Sequence, residues 1–503
     1  MTSPHRSELE NISSRLVRQG GLYALGNVAL KAAGLLLAVI YLNPEYLSQQ
    51  EFGYYGLLLV TAQLGVFVAG LGLSTGMLKF MTDSGHVGER HRLPFTATVA
   101  TTVSAAGLLV VLWVVAEPLA RLLLDDGGRA VLIRLMAVYI AFKALLTIPM
   151  TMLRVQERPG LYAVGTVAEM AILIGAVFYL LVSRGLGLYG LVLAHAVAAG
   201  VTATTLLVLM LARVEWRLAV PLLRPLFRFG APLVMVGLAG WFLSAGDRYL
   251  LKWLVDAEAV GLYEWAARLA GLLNLLLIHS FNQAFSVLGL KALGQDTPDT
   301  SIHRTTFRHF VMWAGWAAVG LSLLSYDLTR LLPADAAYLH ADDLVLFLAL
   351  GFVASGVYHV VVNLIYGSGR TQDISINVLG AALLNVILNL ALIPLFGVMG
   401  AAVATFVSYL ALAIGAALYA RRGITVRFPW RLLGIVIVLV GGLYALGIPT
   451  ADWSTVARLA LRFGLILAYP AILMAARLLT IDDLLRIAVG ARQAVRGSAE
   501  RKT

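Results

Sequence analysis

The sequence has no cysteine and little charge: Asp, Glu, Lys and Arg together make up 13% of its 503 residues. The absence of cysteine excludes disulfide bonds, thiolate nucleophiles and cysteine-ligated zinc or iron–sulfur sites. A typical soluble domain carries about 25% charged residues, so this chain has too few to cover a surface that faces water. These shortages exclude a simple soluble enzyme and a disordered scaffold.

Motifs of nucleotide and metal chemistry are also missing. The sequence contains no Gly-x-x-x-x-Gly-Lys-[Ser/Thr] loop and no His-Glu-x-x-His pair of zinc ligands, so we do not expect it to hydrolyse ATP. His195, His279 and His359 occur singly within apolar stretches, which favours packing or hydrogen bonding over metal binding. We therefore expect neither a cofactor nor an enzymatic activity.

Long apolar runs dominate what is present. Hydrophobic residues make up 60% of the chain, and the mean hydropathy is +0.85. A membrane-spanning helix needs about 20 mostly apolar residues, and about fourteen such stretches occur. They are continuous, unlike the two-residue alternation of a membrane β-barrel. The sequence therefore predicts an all-α polytopic membrane protein with spans near 20–41, 54–77, 93–116, 131–153, 161–182, 188–211, 230–251, 260–290, 310–328, 344–366, 374–395, 396–419, 432–448 and 456–479.

Basic residues predict how the chain crosses the membrane. With the N-terminus inside, the inner loops hold most Lys and Arg, including Arg154, Arg213 and Arg421, and the outer loops hold few. The positive-inside rule then places both termini in the cytoplasm, and this bias also accounts for the net charge of +11. No apolar segment of a cleaved signal peptide precedes residue 20. The basic segment after residue 481 is interpreted as an amphipathic helix on the inner leaflet or as a frayed tail.

The two halves of the chain resemble each other at an offset of roughly 210 residues, a duplication typical of transporters. Glu51-Phe-Gly-Tyr-Tyr55 corresponds to Glu258-Ala-Val-Gly-Leu-Tyr263, and Gly187-Leu-Tyr-Gly190 to Gly397-Val-Met-Gly400. An even number of spans separates equivalent points, so the copies have one orientation and are related by an axis along the membrane normal. We predict an N-terminal lobe at 1–212, a cytoplasmic inter-lobe linker at 213–229, a C-terminal lobe at 230–420, and two additional spans with a basic tail at 421–503.

Several segments resemble a known family. Asp247-Arg-Tyr-Leu-Leu-Lys252, Ala257-Glu-Ala-Val-Gly-Leu-Tyr263 and Ala267-Arg-Leu269 are similar to the seventh and eighth helices of the polysaccharide-flippase (Wzx-type) branch of the MOP superfamily. Its eleventh-to-twelfth helix hairpin resembles the segment that contains Asn385, Asn389, Pro394, Gly397 and Gly400. The resemblance implies a fourteen-helix, two-lobed exporter. Such exporters move undecaprenyl-pyrophosphate-linked oligosaccharide, a polysaccharide repeat unit, across the bacterial plasma (inner) membrane by alternating access.

Other functions stay open at this point. Multidrug exporters of the superfamily usually have twelve helices. Lipid II flippases have fourteen, with an arginine-rich first helix that this sequence lacks. A non-transporting membrane component of a polysaccharide synthase complex is a further alternative. The resemblance implies a lipid-linked oligosaccharide, membrane lipids and polysaccharide polymerase machinery as partners, H⁺ or Na⁺ as a coupling ion, and no nucleic acid.

Ionisable residues inside the predicted spans are the candidate functional residues, because a charge at a helix centre costs at least about 2.5–3.5 kcal/mol. Arginine binds phosphate through paired hydrogen bonds and lysine supplies a point charge, so we predict that four basic residues bind substrate: Lys31, Lys143, Arg248 and Arg268. We predict that the carboxylates inside spans couple transport to an ion: Asp247, Glu264 and Glu169. The alternative is that all of these residues form internal ion pairs that fix helix packing, favoured for Glu264 and Arg268 by their i, i+4 spacing.

Overall fold

A computed structural model describes residues 37–82, 91–294, 300–450 and 453–479, and all regular structure in these ranges is helical. Short 3₁₀ turns lie at Gly127–Arg129, Ala336–His340 and Ile448–Thr450, and π-helical turns at Phe178–Ser183 and Asn274–Ile278. The α-helices are α1 (Ala38–Tyr41), α2 (Gln49–Gly70), α3 (Leu73–Thr82), α4 (Leu93–Val114), α5 (Ala116–Leu124), α6 (Ala130–Val155), α7 (Pro159–Val177), α8 (Gly187–Leu211), α9 (Val220–Ala245), α10 (Asp247–Leu254), α11 (Ala257–Leu273), α12 (His279–Leu293), α13 (Ser301–Arg330), α14 (Ala341–Gly367), α15 (Thr371–Ala420), α16 (Trp430–Gly447) and α17 (Thr455–Ala475).

Within the described residues, the membrane crossings follow the predicted order. Twelve helical segments of the described chain are long and apolar enough to span a membrane. The longest, α15, has 50 residues but breaks at Gly397, whose φ of 56° and ψ of −133° are not helical, so it supplies two crossings. The predicted first span, 20–41, enters the described residues only at its end. The other thirteen predicted spans are present, which confirms the all-α membrane architecture over the part of the chain that the structure describes.

Equivalent helices of the two halves begin with the same kind of capping interaction. The Ser48 hydroxyl accepts a hydrogen bond from the Glu51 backbone N–H at the start of α2, and the Glu51 carboxylate accepts one from the Ser48 backbone N–H, completing a capping box. At the start of α11, Oδ1 of Asp256 accepts a hydrogen bond from the Ala259 backbone N–H at 2.7 Å. The two caps are 208 residues apart (256 − 48), close to the offset seen in the sequence.

The hairpin glycines repeat as well. Gly187 and Gly397, 210 residues apart (397 − 187), have φ of 53° and 56°. Three residues after each, a Cβ added to Gly190 would lie 3.0 Å from the carbonyl oxygen of Leu180, and one added to Gly400 would overlap the carbonyl oxygen of Leu392. Glycine tolerates both the positive φ and the close backbone approach, so both hairpins depend on the same residue type at the same places.

The helices pack as two lobes with an addition. Helices α2 to α8 pack together, α9 to α15 pack together, and α16 and α17 pack against α13. The lobes meet where α2 contacts α9, α10 and α11 and where α9 also contacts α3 and α4. Two pseudo-symmetric lobes with two extra helices is the architecture that the sequence predicts.

The predicted inter-lobe linker at 213–229 is partly helical, because α9 begins at Val220 with a proline in its first turn, where a missing N–H breaks no hydrogen bond. Leu222 and Leu226 are buried while Arg224 and Arg228 are exposed, so two of the segment's four arginines lie on the exposed face of an amphipathic helix start, and Arg213 and Arg217 precede that helix. This part of α9 lies beside the break between α2 and α3, where a Cβ on Gly230 would be 2.7 Å from the carbonyl oxygen of Gly72.

Candidate functional site

The lobes are in close contact where α2 crosses α11. We use "outer" for the end of the bundle predicted to face away from the cytoplasm and "inner" for the opposite end. At the outer end, a Cβ on Gly53 would overlap the carbonyl oxygen of Ala257, and one on Gly261 would lie 2.5 Å from the carbonyl oxygen of Gln49. Gly53 therefore contacts the residue four positions before Gly261, and Gly261 contacts the residue four positions before Gly53. A twofold axis produces this reciprocity. We call this contact the outer crossing.

An ion pair joins the lobes beside the outer crossing. Nζ of Lys252 in α10 lies 2.7 Å from Oδ1 of Asp125, which follows α5, and the Tyr54 hydroxyl of α2 donates to Oδ2 of Asp125 at 2.9 Å. Partial burial raises the pKa of Asp125, but the hydrogen bonds from Lys252 and Tyr54 outweigh it and lower the pKa below its ordinary value of 3.8. The stabilisation is therefore present above that value and lost only as the pH falls through the lowered pKa.

An arginine from the second lobe is buried among aromatic rings of the first. The guanidinium group of Arg268, in α11, lies 5.5 Å from the ring centroid of Tyr41, 5.2 Å from that of Phe52 and 5.5 Å from that of Tyr55, all within cation–π range. Its Nε donates a hydrogen bond to Oε1 of Glu264 at 3.1 Å. Separation of the lobes at this level would withdraw Arg268 from these three rings.

Glu264 connects Arg268 to a second arginine. Its Oε2 lies 3.4 Å from Nε of Arg248, whose Nη1 donates to Oδ1 of Asp247 at 2.8 Å. Asp247, whose side chain is 1% exposed, also accepts hydrogen bonds from the hydroxyls of Tyr263 and Thr405. The second lobe therefore holds a buried network of two arginines and two carboxylates in which every charge has a partner.

The first lobe holds a separate ion pair. Lys143 of α6 pairs with Glu169 of α7, and both side chains are largely buried. His195 of α8 interacts electrostatically with both Lys143 and Arg268, and its Nε2 lies 2.7 Å from the Tyr55 hydroxyl. Tyr55, which also faces Arg268, thus links the polar groups of the two lobes.

This tyrosine contact has a counterpart in the second lobe. The Tyr263 hydroxyl lies 3.2 Å from Oγ1 of Thr405. The two tyrosines are 208 residues apart (263 − 55) and their partners 210 apart (405 − 195). The hydrogen-bonding scaffold is therefore common to both lobes, and in the second lobe the tyrosine also contacts the Asp247 carboxylate.

The structure brings most of the predicted site residues into ion pairs. Lys31 lies outside the described residues. The other six are arranged as Lys143 with Glu169, Arg248 with Asp247 and Glu264, and Arg268 with Glu264. Their three positive and three negative charges balance (3 − 3 = 0), so the described network has no excess of positive charge. Internal pairing, the alternative that the sequence left open, describes this state, and the roles in substrate binding and ion coupling stay predictions.

Sequence reasoning missed the ion pair of Lys252 with Asp125 and a buried cluster on α13 and α17. In that cluster Nε of Arg458 and Nη1 of Arg462 donate to the Asp327 carboxylate at 2.8 and 2.7 Å, and both guanidinium groups lie over the Tyr326 ring. The available signal was the i, i+4 spacing of two arginines inside an apolar span. The cluster attaches the additional helices to the second lobe.

One short pattern resembles hydrolase chemistry but is explained by packing. Gly72-Leu-Ser-Thr-Gly76 matches the Gly-x-Ser-x-Gly pattern, which in hydrolases lies on a strand-to-helix turn. Here it spans a break between two helices, and its glycines lie against Gly230 and Leu226 of α9. Over the residues that the structure covers, no three His, Asp or Glu side chains are grouped to hold a metal ion.

Comparison with known proteins identifies the family resemblance. A family model described as "Polysaccharide biosynthesis protein" matches residues 46–285, slightly under half of the chain, including both sides of the outer crossing. No curated protein matches this sequence at a significant level.

Solved structures share the fold at low sequence identity. A lipid II flippase MurJ in an inward closed conformation has a TM-score of 0.74 at 13% identity, covering 91% of this chain and 100% of that one. An inward-facing MATE family multidrug resistance transporter of the MOP superfamily has a TM-score of 0.65 at 14% identity, covering 80% and 93%. A MOP superfamily transporter from Pyrococcus furiosus has a TM-score of 0.60 at 14% identity, covering 81% and 95%.

These matches confirm the predicted resemblance to the polysaccharide branch of the MOP superfamily and show a multi-pass membrane protein with a MOP transporter fold.

Proposed function

We propose, from the MOP transporter fold and the polysaccharide-biosynthesis family match, that this protein translocates undecaprenyl-pyrophosphate-linked oligosaccharide across the bacterial plasma membrane by alternating access. The lobes 1–212 and 230–420 move relative to each other, and both termini face the cytoplasm. The observation that carries the proposal is the buried ionic network where these lobes meet. Burying a charge network of this kind inside a membrane costs free energy. Binding the pyrophosphate group of the substrate is a function that explains why the network is present.

The mechanism follows from which contacts must break. Substrate is loaded from the inner side while the outer crossing is closed, which requires the contact between Gly72 and Gly230 near the inner end to open. Opening the outer end separates α2 from α11 and withdraws Arg268 from its aromatic pocket. A pyrophosphate supplies replacement hydrogen bonds to Arg268 and Arg248, since guanidinium groups bind phosphate oxygens in pairs, and Lys143 adds a point charge from the first lobe. Substrate binding thus offsets the cost of breaking the ion pairs.

The carboxylates give a route to ion coupling. When the substrate phosphate binds the two arginines, Asp247 and Glu264 lose their positive partners. Each carboxylate can then bind a proton or a sodium ion. Glu169 has the same relation to Lys143 in the first lobe. Release of substrate at the outer side then restores the ion pairs.

Depletion of the protein in its host is expected to leave labelled lipid-linked repeat units on the inner face of the plasma membrane. Accessibility of the oligosaccharide to a membrane-impermeant enzyme in intact spheroplasts measures this directly. Repeat units that reach the outer face at the normal rate after depletion would contradict the proposal.

Multidrug export is the second candidate, because the zero net charge of the described network does not repel cationic compounds. Under this function a deletion strain gains sensitivity to several lipophilic cations while its polysaccharide export is unchanged. A charge-reversal variant tests the third possibility, a non-transporting synthase component. In that case charge reversal at Lys143 in a folded variant leaves polymer export intact.

Asp247→Asn is expected to abolish the dependence of translocation on an imposed pH gradient while preserving substrate binding. The amide keeps an acceptor oxygen for Tyr263 but cannot take up a proton in this pH range. Proteoliposomes with and without a gradient provide the measurement. The matched control is Asp373→Asn, since Asp373 of α15 is a buried carboxylate outside the network that pairs with Arg370, the residue before the helix. Full gradient dependence in Asp247→Asn would leave Glu264 and Glu169 as the candidates.

A further inference from the structure

A cavity in the first lobe lies apart from the ionic network. It is enclosed by the inner halves of α6, α7 and α8 and has a volume of about 330 Å³, within the range of small-ligand sites. Its wall is apolar, formed by side chains such as Pro149, Met152 and Leu206. Such a space suits a hydrocarbon chain rather than a sugar or an ion.

The cavity opens toward the membrane. Val164 of α7 and Leu209 of α8, which line it, are 64% and 55% exposed, and α7 packs against α6 and α8. Exposed apolar side chains on a spanning helix face lipid. An acyl chain therefore has direct access to the cavity from the bilayer.

Positive charge lies at the end of the cavity. Arg158, which precedes α7, and Arg213, which follows α8, both line it and are both exposed. Within the part of the chain that the structure describes, neither forms an ion pair, and no carboxylate lies among the lining residues. Basic pockets between membrane helices on the cytoplasmic side bind anionic lipid headgroups. The charge at this end thus complements a phosphate.

We propose that this cavity binds an anionic phospholipid of the inner leaflet, with one acyl chain between α6, α7 and α8 and the phosphate between Arg158 and Arg213. Gln156, also in the lining, supplies an amide that donates to the headgroup. This site is separate from the substrate route between the lobes and does not depend on the identity of the transported molecule.

Native mass spectrometry of the full-length protein tests the proposal, with phosphatidylglycerol and phosphatidylcholine of the same acyl chains added separately. The wild-type protein is expected to retain phosphatidylglycerol preferentially. Arg158→Gln/Arg213→Gln is expected to lower that preference by roughly 25-fold, because each cationic side chain near the membrane contributes about fivefold. The matched control is Arg217→Gln/Arg224→Gln, which removes two exposed arginines near the same end but outside the cavity.

A second variant tests the acyl-chain part of the site. Ala168 lines the cavity and is exposed, so Ala168→Phe fills the opening without disturbing a buried contact. It is expected to reduce retention of both lipids. The proposal is overturned if Arg158→Gln/Arg213→Gln keeps the wild-type preference or if the control loses it equally. It is also overturned if equimolar undecaprenyl phosphate displaces phosphatidylglycerol, since the cavity would then belong to the substrate route.

Discussion

Gly53→Ala is expected to hold the outer end open and to reduce translocation to a small fraction of the wild-type rate. The added methyl group would overlap the carbonyl oxygen of Ala257 when the outer crossing closes. Overpacking of this kind costs about 1–3 kcal/mol, which shifts the equilibrium toward the open outer end by roughly 5- to 150-fold. A cycle that cannot close on the outer side cannot return to load substrate.

The absence of native cysteine makes this shift measurable. A single Ala257→Cys substitution introduces a thiol at a buried position, and a membrane-impermeant maleimide added from outside reports its exposure. Labelling should accelerate when Gly53→Ala is added to this background. The matched control is Gly107→Ala in α4, where an added Cβ meets no atom within 4 Å. Wild-type labelling and translocation in Gly53→Ala would show that the outer crossing is not a moving contact.

Glu264→Gln is expected to destabilise the protein by about 3–5 kcal/mol, the usual cost of removing one partner from a buried ion pair. Glu264 contacts Arg248 at 3.4 Å and Arg268 at 3.1 Å, and these three side chains are 11–16% exposed. Arg268 has no other carboxylate partner among the described residues. In the variant, its guanidinium group therefore keeps only its cation–π contacts with three aromatic rings. Unfolding by SDS in mixed micelles, followed by tryptophan fluorescence, measures the change in free energy.

Two comparisons separate this effect from a general loss of charge. Glu117→Gln removes the partner of Arg121, but that pair is exposed, so a change of about 0–1 kcal/mol is expected. Glu264→Gln/Arg268→Gln removes both charges and is expected to be more stable than Glu264→Gln alone. If the loss of stability in the double variant instead equals the sum of the losses in Glu264→Gln and Arg268→Gln, the two residues do not act as a pair.

The spans and their order were predictable because each crossing requires a run of apolar residues that the sequence displays directly. Local pairs were predictable for a similar reason: Glu264 and Arg268 are one turn apart on one helix. The break at Gly397 was indicated by a proline three residues earlier. These features depend on neighbouring residues, and neighbouring residues are what a single sequence shows.

Pairings between helices were not predictable. Lys143 forms an ion pair with Glu169 on the next helix. Lys252 forms one across the lobe interface with Asp125, 127 residues away in the sequence. Which side chains meet depends on how each helix is rotated about its axis, and small-residue contacts such as the outer crossing set that rotation. The sequence therefore identified the charges without identifying their partners, and it assigned substrate roles to residues that the closed structure pairs internally.

The reciprocity of the outer crossing bears on how this protein evolved. In an ancestor of half the length, the same contact would have been the interface of a symmetric dimer, where every substitution appears twice. An acidic residue near the axis would then have faced its own copy. Fusion of the two copies into one chain removed that restriction. Asp247 and Glu264 can then lie in one half while Tyr55 contacts His195 in the other, so a charged network on one side of the axis coexists with the symmetric backbone contact.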